Sequence, residues 1–408
     1  MRASLRVLSS APSPASGMAR STLTYSLGLS YAAKHSPPFI PAAAPPGTKG
    51  FAGSGGKLGK WVDTMRFLPA GRGELHPSST DQDGGWDAGL RDEVLKWGAG
   101  EDFFAVVDGG GFCKLDLTPD IPPLTAQTHL AVSDGVGGWA PKYDPALYSQ
   151  ALMFHYANAL TEDPSLAPWD ALQKAYDAVG KDDSVVAGSA TAVGVSLSDT
   201  GKGRAINLGD SGLTILRKGN AVFETKPQTH YFNCPLAPSH HQSLPHTSPG
   251  PPSGPTLTPL KLQLSKIPAA EAVKGIIADV PAGGDRFEFD LEAGDVVILY
   301  TDGLSDNLPA SHIPALSNAV LALLSEKENA HLSSAERSAE HARLLADVLV
   351  AAGRRAMLRT GQEKDWKTPF EVESSKLGPR YAFRGGKVDD ICVTVGVASE
   401  AAPVAAKL

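Results

Sequence analysis

Four groups of acidic residues stand where short apolar runs begin or end. Asp134 follows the run 129–133 and opens DGVGGW, and Asp302 follows the run 296–301 and opens DGLSDN. Glu101 and Asp102 precede the run 103–107, and Asp389 and Asp390 precede 391–397. Asp-Gly after a strand is an ordinary turn, so each group alone says no more than that. Four such groups at strand edges are different. Carboxylates converging from separate strands form an oxygen-rich cage suited to hard cations such as Mg²⁺ or Mn²⁺. Gly135 lets the backbone come close, which makes its carbonyl a further candidate ligand beside Asp134. The chain offers no convincing Cys or Ser nucleophile. None of Cys113, Cys234 and Cys392 has Arg six positions on, so a C-x₅-R phosphate loop is absent.

The elements that must position these acids are legible as runs of Val, Ile and Phe ending at Gly or Asp. Strands are expected over 103–107, 129–133, 191–197, 204–208, 213–217, 221–224, 286–290, 296–301 and 391–397. Lys218, Gly219 and Asn220 fit a hairpin turn between two of them. Helical periodicity marks 146–160, 169–179, 313–324 and 333–355. Strands come in consecutive runs and helices in pairs, which predicts an α+β layered fold with antiparallel sheets.

AVSDGVGGW, GSATAVGVSL, AINLGDSGLTILRKG, QTHYFNCP, GDVVILYTDGLSDNL and RGGKVDDICVTV follow one another in this order. Together they resemble the metal-dependent PP2C-type protein serine/threonine phosphatases. More narrowly they are similar to the mitochondrial type-7 branch, the T-cell-activation phosphatase homologues, through DGVGGW, HYFN and RGGK-x-DD. The resemblance runs from about residue 98 to residue 397. It implies a central β-sandwich of two antiparallel sheets flanked by pairs of helices, with a dinuclear metal site at one end. By position, Asp134 matches the carboxylate bridging both metals, and Gly135 the backbone-carbonyl ligand. Glu101 matches the acid on one metal, while Asp302 and Asp389 match acids on the other. Asp102 and Asp390 match neighbours that support the ligands. Gly188, Ser189, Thr191, Asn207, Gly209 and Asp210 fall in motifs read as structural.

The activity so implied is hydrolysis of phosphoserine and phosphothreonine in mitochondrial proteins. The nucleophile is a hydroxide bridging two divalent metals, Mg²⁺ or Mn²⁺, with no catalytic side chain beyond it. Two alternatives stay open: a pseudophosphatase that binds phosphoproteins, and a phosphoesterase acting on small molecules. Two positions depart from the wider family. Val136 stands where many members carry a general-acid His, and the phosphate-binding Arg before the acidic pair is not evident. Lys96 and Arg384 are the candidates for that role.

Composition bounds the remaining classes. The chain has 408 residues, 42% hydrophobic and 20% charged, ordinary values for a globular protein. No apolar run approaches the length of a transmembrane helix. The widely spaced cysteines argue against a disulfide framework. With 37 basic and 44 acidic residues the net charge is −7, which argues against nucleic acid as a partner. The charge is unevenly placed. Residues 1–62 hold seven bases and no acid, leaving thirty bases against 44 acids, a net −14, for the rest. A basic, Ser-rich, acid-free start predicts a mitochondrial presequence and linker over 1–62 and a matrix location. The phosphatase domain is then expected over 63–400, followed by a tail, 401–408. Within it, 237–259 is rich in Pro, Ser and His. It reads as a low-complexity insertion or as translated intron sequence, and His240, His241 and His246 as solvated loop residues rather than ligands.

Overall fold

The computed structural model describes residues 22–39, 50–68, 96–108, 111–112, 127–231, 234–235, 264–266 and 279–401. The nine apolar runs read from the sequence are all strands, and the four periodic stretches all helices, with ends that agree within three residues. They build two facing antiparallel sheets. The first has the order Leu23–Ala32, Ile391–Glu400, Val296–Tyr300, Gly212–Arg217, Asn220–Glu224. The second has the order Asp285–Asp290, Lys202–Leu208, Ala192–Ser198, Gln127–Ser133, Phe103–Asp108, Gly111–Phe112. The expected turn joins Gly212–Arg217 to Asn220–Glu224. Lys218 and Gly219 there have φ of 50° and 75°, both in the left-handed region that such two-residue turns require.

A strand buried on both faces reads as a continuous apolar run, and VVILY at 296–300 is one. Val297 and Leu299 enter the sandwich interior with Phe104, Leu130 and Val195. Val296, Ile298 and Tyr300 face the opposite way, against Leu345 and Leu349 of the helix Ser334–Met357. That helix and His312–Leu324 cover the first sheet, while Ala146–Glu162 and Pro168–Lys181 cover the second. The long helix starts where SSAE says it should. Ser333 Oγ accepts from the Glu336 N–H at 3.3 Å, and the Ser333 N–H donates to the Glu336 carboxylate at 2.8 Å. The result is four layers, helices outside and sheets within, with the acidic strand ends gathered at one edge.

The boundary expected at residue 62 is corrected. Leu23–Ala32 pairs along its whole length with Ile391–Glu400, from Leu23 opposite Glu400 to Ala32 opposite Ile391. Its Tyr25, Leu27, Leu29 and Tyr31 alternate toward the sandwich core. The helix Gly56–Phe67 also belongs to the folded unit, since Trp61, Val62 and Met65 are core residues. Gly28 is needed because the long helix crosses here: a Cβ would lie 1.9 Å from the Ala342 carbonyl oxygen. A cleavable leader extending to residue 62 would remove an edge strand and a core helix. The folded part thus begins by Leu23, and the acid-free composition misled because a strand needs no acids. Residues 1–21, the stretch 237–259 and residues 402–408 lie outside the described residues.

Truncation tests this directly. Removing residues 1–20 should leave the thermal midpoint unchanged. Removing 1–36 should cost at least about 3 kcal/mol, from the buried Leu23 and Leu29 side chains alone, or prevent folding. Equal midpoints for the two truncations would show that the strand is dispensable.

Candidate metal centre

Asp134 stands at the end of Gln127–Ser133, and Asp302 at the end of Val296–Tyr300, where it opens the single turn Asp302–Ser305. Asp210 lies in the tight connection between Lys202–Leu208 and Gly212–Arg217. A carboxylate oxygen from each of the three lies within 4.8 Å of those of the other two. Asp134, Asp210 and Asp302 are only 7%, 9% and 3% exposed. Ionised carboxylates this close and this dry repel one another, and a hard cation relieves the repulsion.

The loop carrying Asp134 is clamped from three sides. Its N–H donates to Thr191 Oγ1 at 2.9 Å, and its carbonyl accepts from the Thr191 N–H at 2.9 Å. The Val136 N–H donates to the Ser189 carbonyl at 3.0 Å, and Trp139 Nε1 to Ser189 Oγ at 2.9 Å. The Gly135 N–H donates to the Glu101 carbonyl at 3.1 Å, which also accepts from Ser149 Oγ at 2.6 Å. A Cβ on Gly135 would meet that carbonyl at 2.5 Å and the Pro145 carbonyl at 2.7 Å, so only glycine fits. Ser189 and Thr191 thus act on the scaffold. Val136, fully buried, offers no proton.

Glu101, Asp389 and Asp390 lie beside this group, and Lys34 ties them together. Its Nζ is 2.7 Å from Glu101 Oε2, 3.2 Å from Asp390 Oδ2 and 3.9 Å from Asp389 Oδ1. Asp390 also accepts from the backbone N–H groups of Lys34 at 2.6 Å and Glu101 at 3.1 Å. A second lysine spans the other edge. Lys387 Nζ is 2.8 Å from Asp302, 2.5 Å from Asp306 and 2.9 Å from Asp389. Asn307 fixes its backbone, accepting from the Lys387 N–H and donating to its carbonyl. Asp102 lies behind, accepting from Thr301 Oγ1 at 2.7 Å, while its Oδ1 is buried with no hydrogen bond. Lys96 and Arg384 make no contact with these acids; both are exposed, Lys96 lying over the Trp97 ring.

Lys34, Lys387 and the part played by Asp210 were not read from the sequence. Lys34 had been assigned to the leader, although the alternation of Tyr25, Leu27, Leu29 and Tyr31 marks the strand that delivers it. Lys387 sits inside RGGKVDD, and Asp210 inside NLGDS, where Asp-Ser-Gly suggests a turn.

No protein-family model matches the chain. It is similar to "Protein phosphatase 2C homolog 7, mitochondrial" of Saccharomyces cerevisiae, at 30% identity over 279 residues covering 65% of this chain and 68% of that one. The chain belongs to the protein phosphatase 2C family. "Probable protein phosphatase 2C 55" of Arabidopsis thaliana is 32% identical over 272 residues, 66% of this chain. The chain spans about half the length of the plant relatives it matches, 45% of that one. Among solved structures, the photosystem II phosphatase PBCP has a TM-score of 0.49 and 23% identity, over 73% of this chain and 91% of that one.

In this protein phosphatase 2C chain the electrostatics follow from burial. Burial pushes the Glu101 carboxyl up to about 7, with Lys34 opposing and Asp390 assisting. Burial and then Asp390 raise Asp102 well above the usual carboxylate range, against the Thr301 hydrogen bond. Burial alone would lower both lysines. Instead Asp390, Asp389 and Glu101 hold Lys34 well above its ordinary value, and Asp302, Asp306 and Asp389 do the same for Lys387.

Two measurements on metal-free protein follow. Asp134→Asn removes one of three crowded charges and should raise stability in chelator by about 1 kcal/mol. Asp302→Asn, which breaks an ion pair with buried Lys387, should not. Both should abolish stabilisation by Mn²⁺ in a thermal melt, and a Asp134→Asn protein that melts earlier in chelator would contradict the crowding. The second concerns pH. With its folded pKa raised from 4.5 to about 7, Glu101 holds its proton longer when folded. Its contribution to stability therefore falls as pH rises from about 4.5 through 7. Glu101→Gln should flatten that part of the pH–stability curve, and an unchanged curve would refute it.

Proposed function

We propose that the chain hydrolyses phosphoserine and phosphothreonine in proteins with two divalent cations, Mg²⁺ or Mn²⁺, and does so in mitochondria. The observation that carries this reading is the convergence of buried Asp134, Asp210 and Asp302 in a protein phosphatase 2C chain. Glu101, Asp134, Gly135, Asp302 and Asp389 are the proposed metal-holding positions, with Asp210 added to them. When bound, such ions supply Lewis acidity toward phosphoryl oxygens and make water acidic enough to ionise near neutral pH. The protein's own residues set the stage. Asp390 fixes the backbone at Lys34 and Glu101, and Thr191 and Ser189 lock the Asp134 loop. Lys34, 20% exposed at its side chain, is the cation that an incoming phosphate meets beside Glu101. Lys387 neutralises Asp302 and Asp389 from the opposite side. The location rests on the name of the yeast relative and on the basic, acid-free residues before Leu23.

The test is hydrolysis of a phosphothreonine peptide by the full-length chain. Turnover should require Mn²⁺ or Mg²⁺ and vanish with chelator. Lys34→Met should raise KM about 10-fold, in keeping with loss of a charge-assisted phosphate contact. Turnover that survives chelation would overturn the metal reading. A fluorescent fusion of residues 1–22 found in the cytosol would overturn the location.

A further inference from the structure

The segment 354–388 differs from the rest of the chain in charge and surface. It holds nine Lys and Arg against four Asp and Glu, in a protein whose net charge is −7. Among the described residues all four acids are engaged. Glu363 accepts from the Thr360 and Gly361 backbone, Asp365 pairs with Arg359, Glu371 with Lys367, and Glu373 with Lys376. Arg355, Lys364 and Arg380 are exposed bases for which the structure shows no ion pair. The same segment supplies six of the ten large apolar side chains that stand exposed among the described residues: Leu358, Val372, Leu377, Tyr381, Phe383 and Val388. It also borders a cavity of about 660 Å³ floored by Leu308, Leu316, Ala356 and Trp366, with Arg355 in its wall. Arg359 stacks over the Trp366 ring at 3.9 Å and so is held in place.

This surface adjoins the acidic centre. The Phe370 N–H donates to the Asp306 carbonyl at 2.9 Å, and Lys387 Nζ lies 5.1 Å from the Phe370 ring. The Gly386 N–H donates to the Arg359 carbonyl at 2.9 Å, tying the cavity wall to the loop that carries Asp389. Exposed apolar side chains interleaved with uncompensated bases complement a partner that is both acidic and apolar.

We propose that residues 354–388 dock an acidic segment of the phosphoprotein substrate, with one of its apolar side chains entering the cavity beside Arg355. This rests on the phosphatase reading above and names how that site selects its substrate. Phosphate enters the metal centre, and the flanking carboxylates meet Arg355 and Arg380.

The experiment compares phosphothreonine peptides that share one apolar residue and differ only in acidic or neutral flanks, using the full-length chain with Mn²⁺. The acidic peptide should show a KM about 5–10-fold lower, a preference that weakens as salt is raised. The Arg355→Glu/Arg380→Glu double variant should lose that preference while turning over para-nitrophenyl phosphate at the wild-type rate, with an unchanged thermal midpoint. Absence of the preference in wild type, or its survival in the variant, overturns the docking proposal. If the chain hydrolyses no phosphoester at all, the phosphatase reading fails. Fluorescence anisotropy with the unphosphorylated acidic peptide then decides docking alone, with the variant expected to bind about 10-fold more weakly. Two further outcomes also overturn it. One is a dimer in sedimentation that the double variant dissociates, which would make the occupant a second copy of the chain. The other is variant-sensitive binding to vesicles of anionic lipid in place of peptide.

Discussion

Mutual repulsion among buried carboxylates is the constraint on which the rest of this structure depends. Glu101, Asp102, Asp134, Asp210, Asp302 and Asp390 are each less than a tenth exposed, and Asp389 stands beside them. Left alone, such a group would spread apart or take up protons. Burial first, and the neighbouring Asp390 after it, raise Glu101 and Asp102 above the usual carboxylate range. What holds the group is rigid attachment: these acids sit one or two residues beyond the ends of paired strands.

Strand ends are the natural place for this. A strand in a filled sandwich cannot shift by one residue without turning its core side chains outward. Val297 and Leu299 on one face and Ile298 and Tyr300 on the other therefore fix where Asp302 stands. The Asp134 loop has no such strand beyond it, and its hydrogen bonds to Ser189, Thr191 and Glu101 replace one. The two lysines serve differently. Lys34 and Lys387 neutralise the flanks, Glu101 with Asp390 and Asp302 with Asp306. The cluster of Asp134, Asp210 and Asp302 then offers its oxygens to a cation.

The division of charge extends to the surface. An acidic centre attracts cations but would repel the phosphorylated substrate proposed for it, which is itself an anion. The exposed bases Arg355, Lys364 and Arg380 of the proposed docking segment would offset that repulsion outside the centre, while Lys387 of the same segment stands among the acids themselves. Tyr381, Leu377 and Val388 of the same segment stand exposed and would add the apolar part of that docking surface.

How much was legible beforehand follows from which interactions are local. The sheets and helices that carry the site were readable because alternation and helical period are properties of neighbouring residues, as VVILY and SSAE illustrate. The acids at strand ends were readable for the same reason: a run of Val and Ile that stops at Asp-Gly names both strand and edge. The strand Leu23–Ala32 was not placed, since composition pointed to a leader and its pairing partner lies more than 350 residues away. Lys34 went with it, while Asp210 was passed over as a turn residue in NLGDS. A lysine becomes a counter-ion, and a turn aspartate becomes part of a cation site, only when distant segments bring carboxylates within a few ångströms. Coulomb energy at that range depends on separation and burial, and tertiary packing alone decides both.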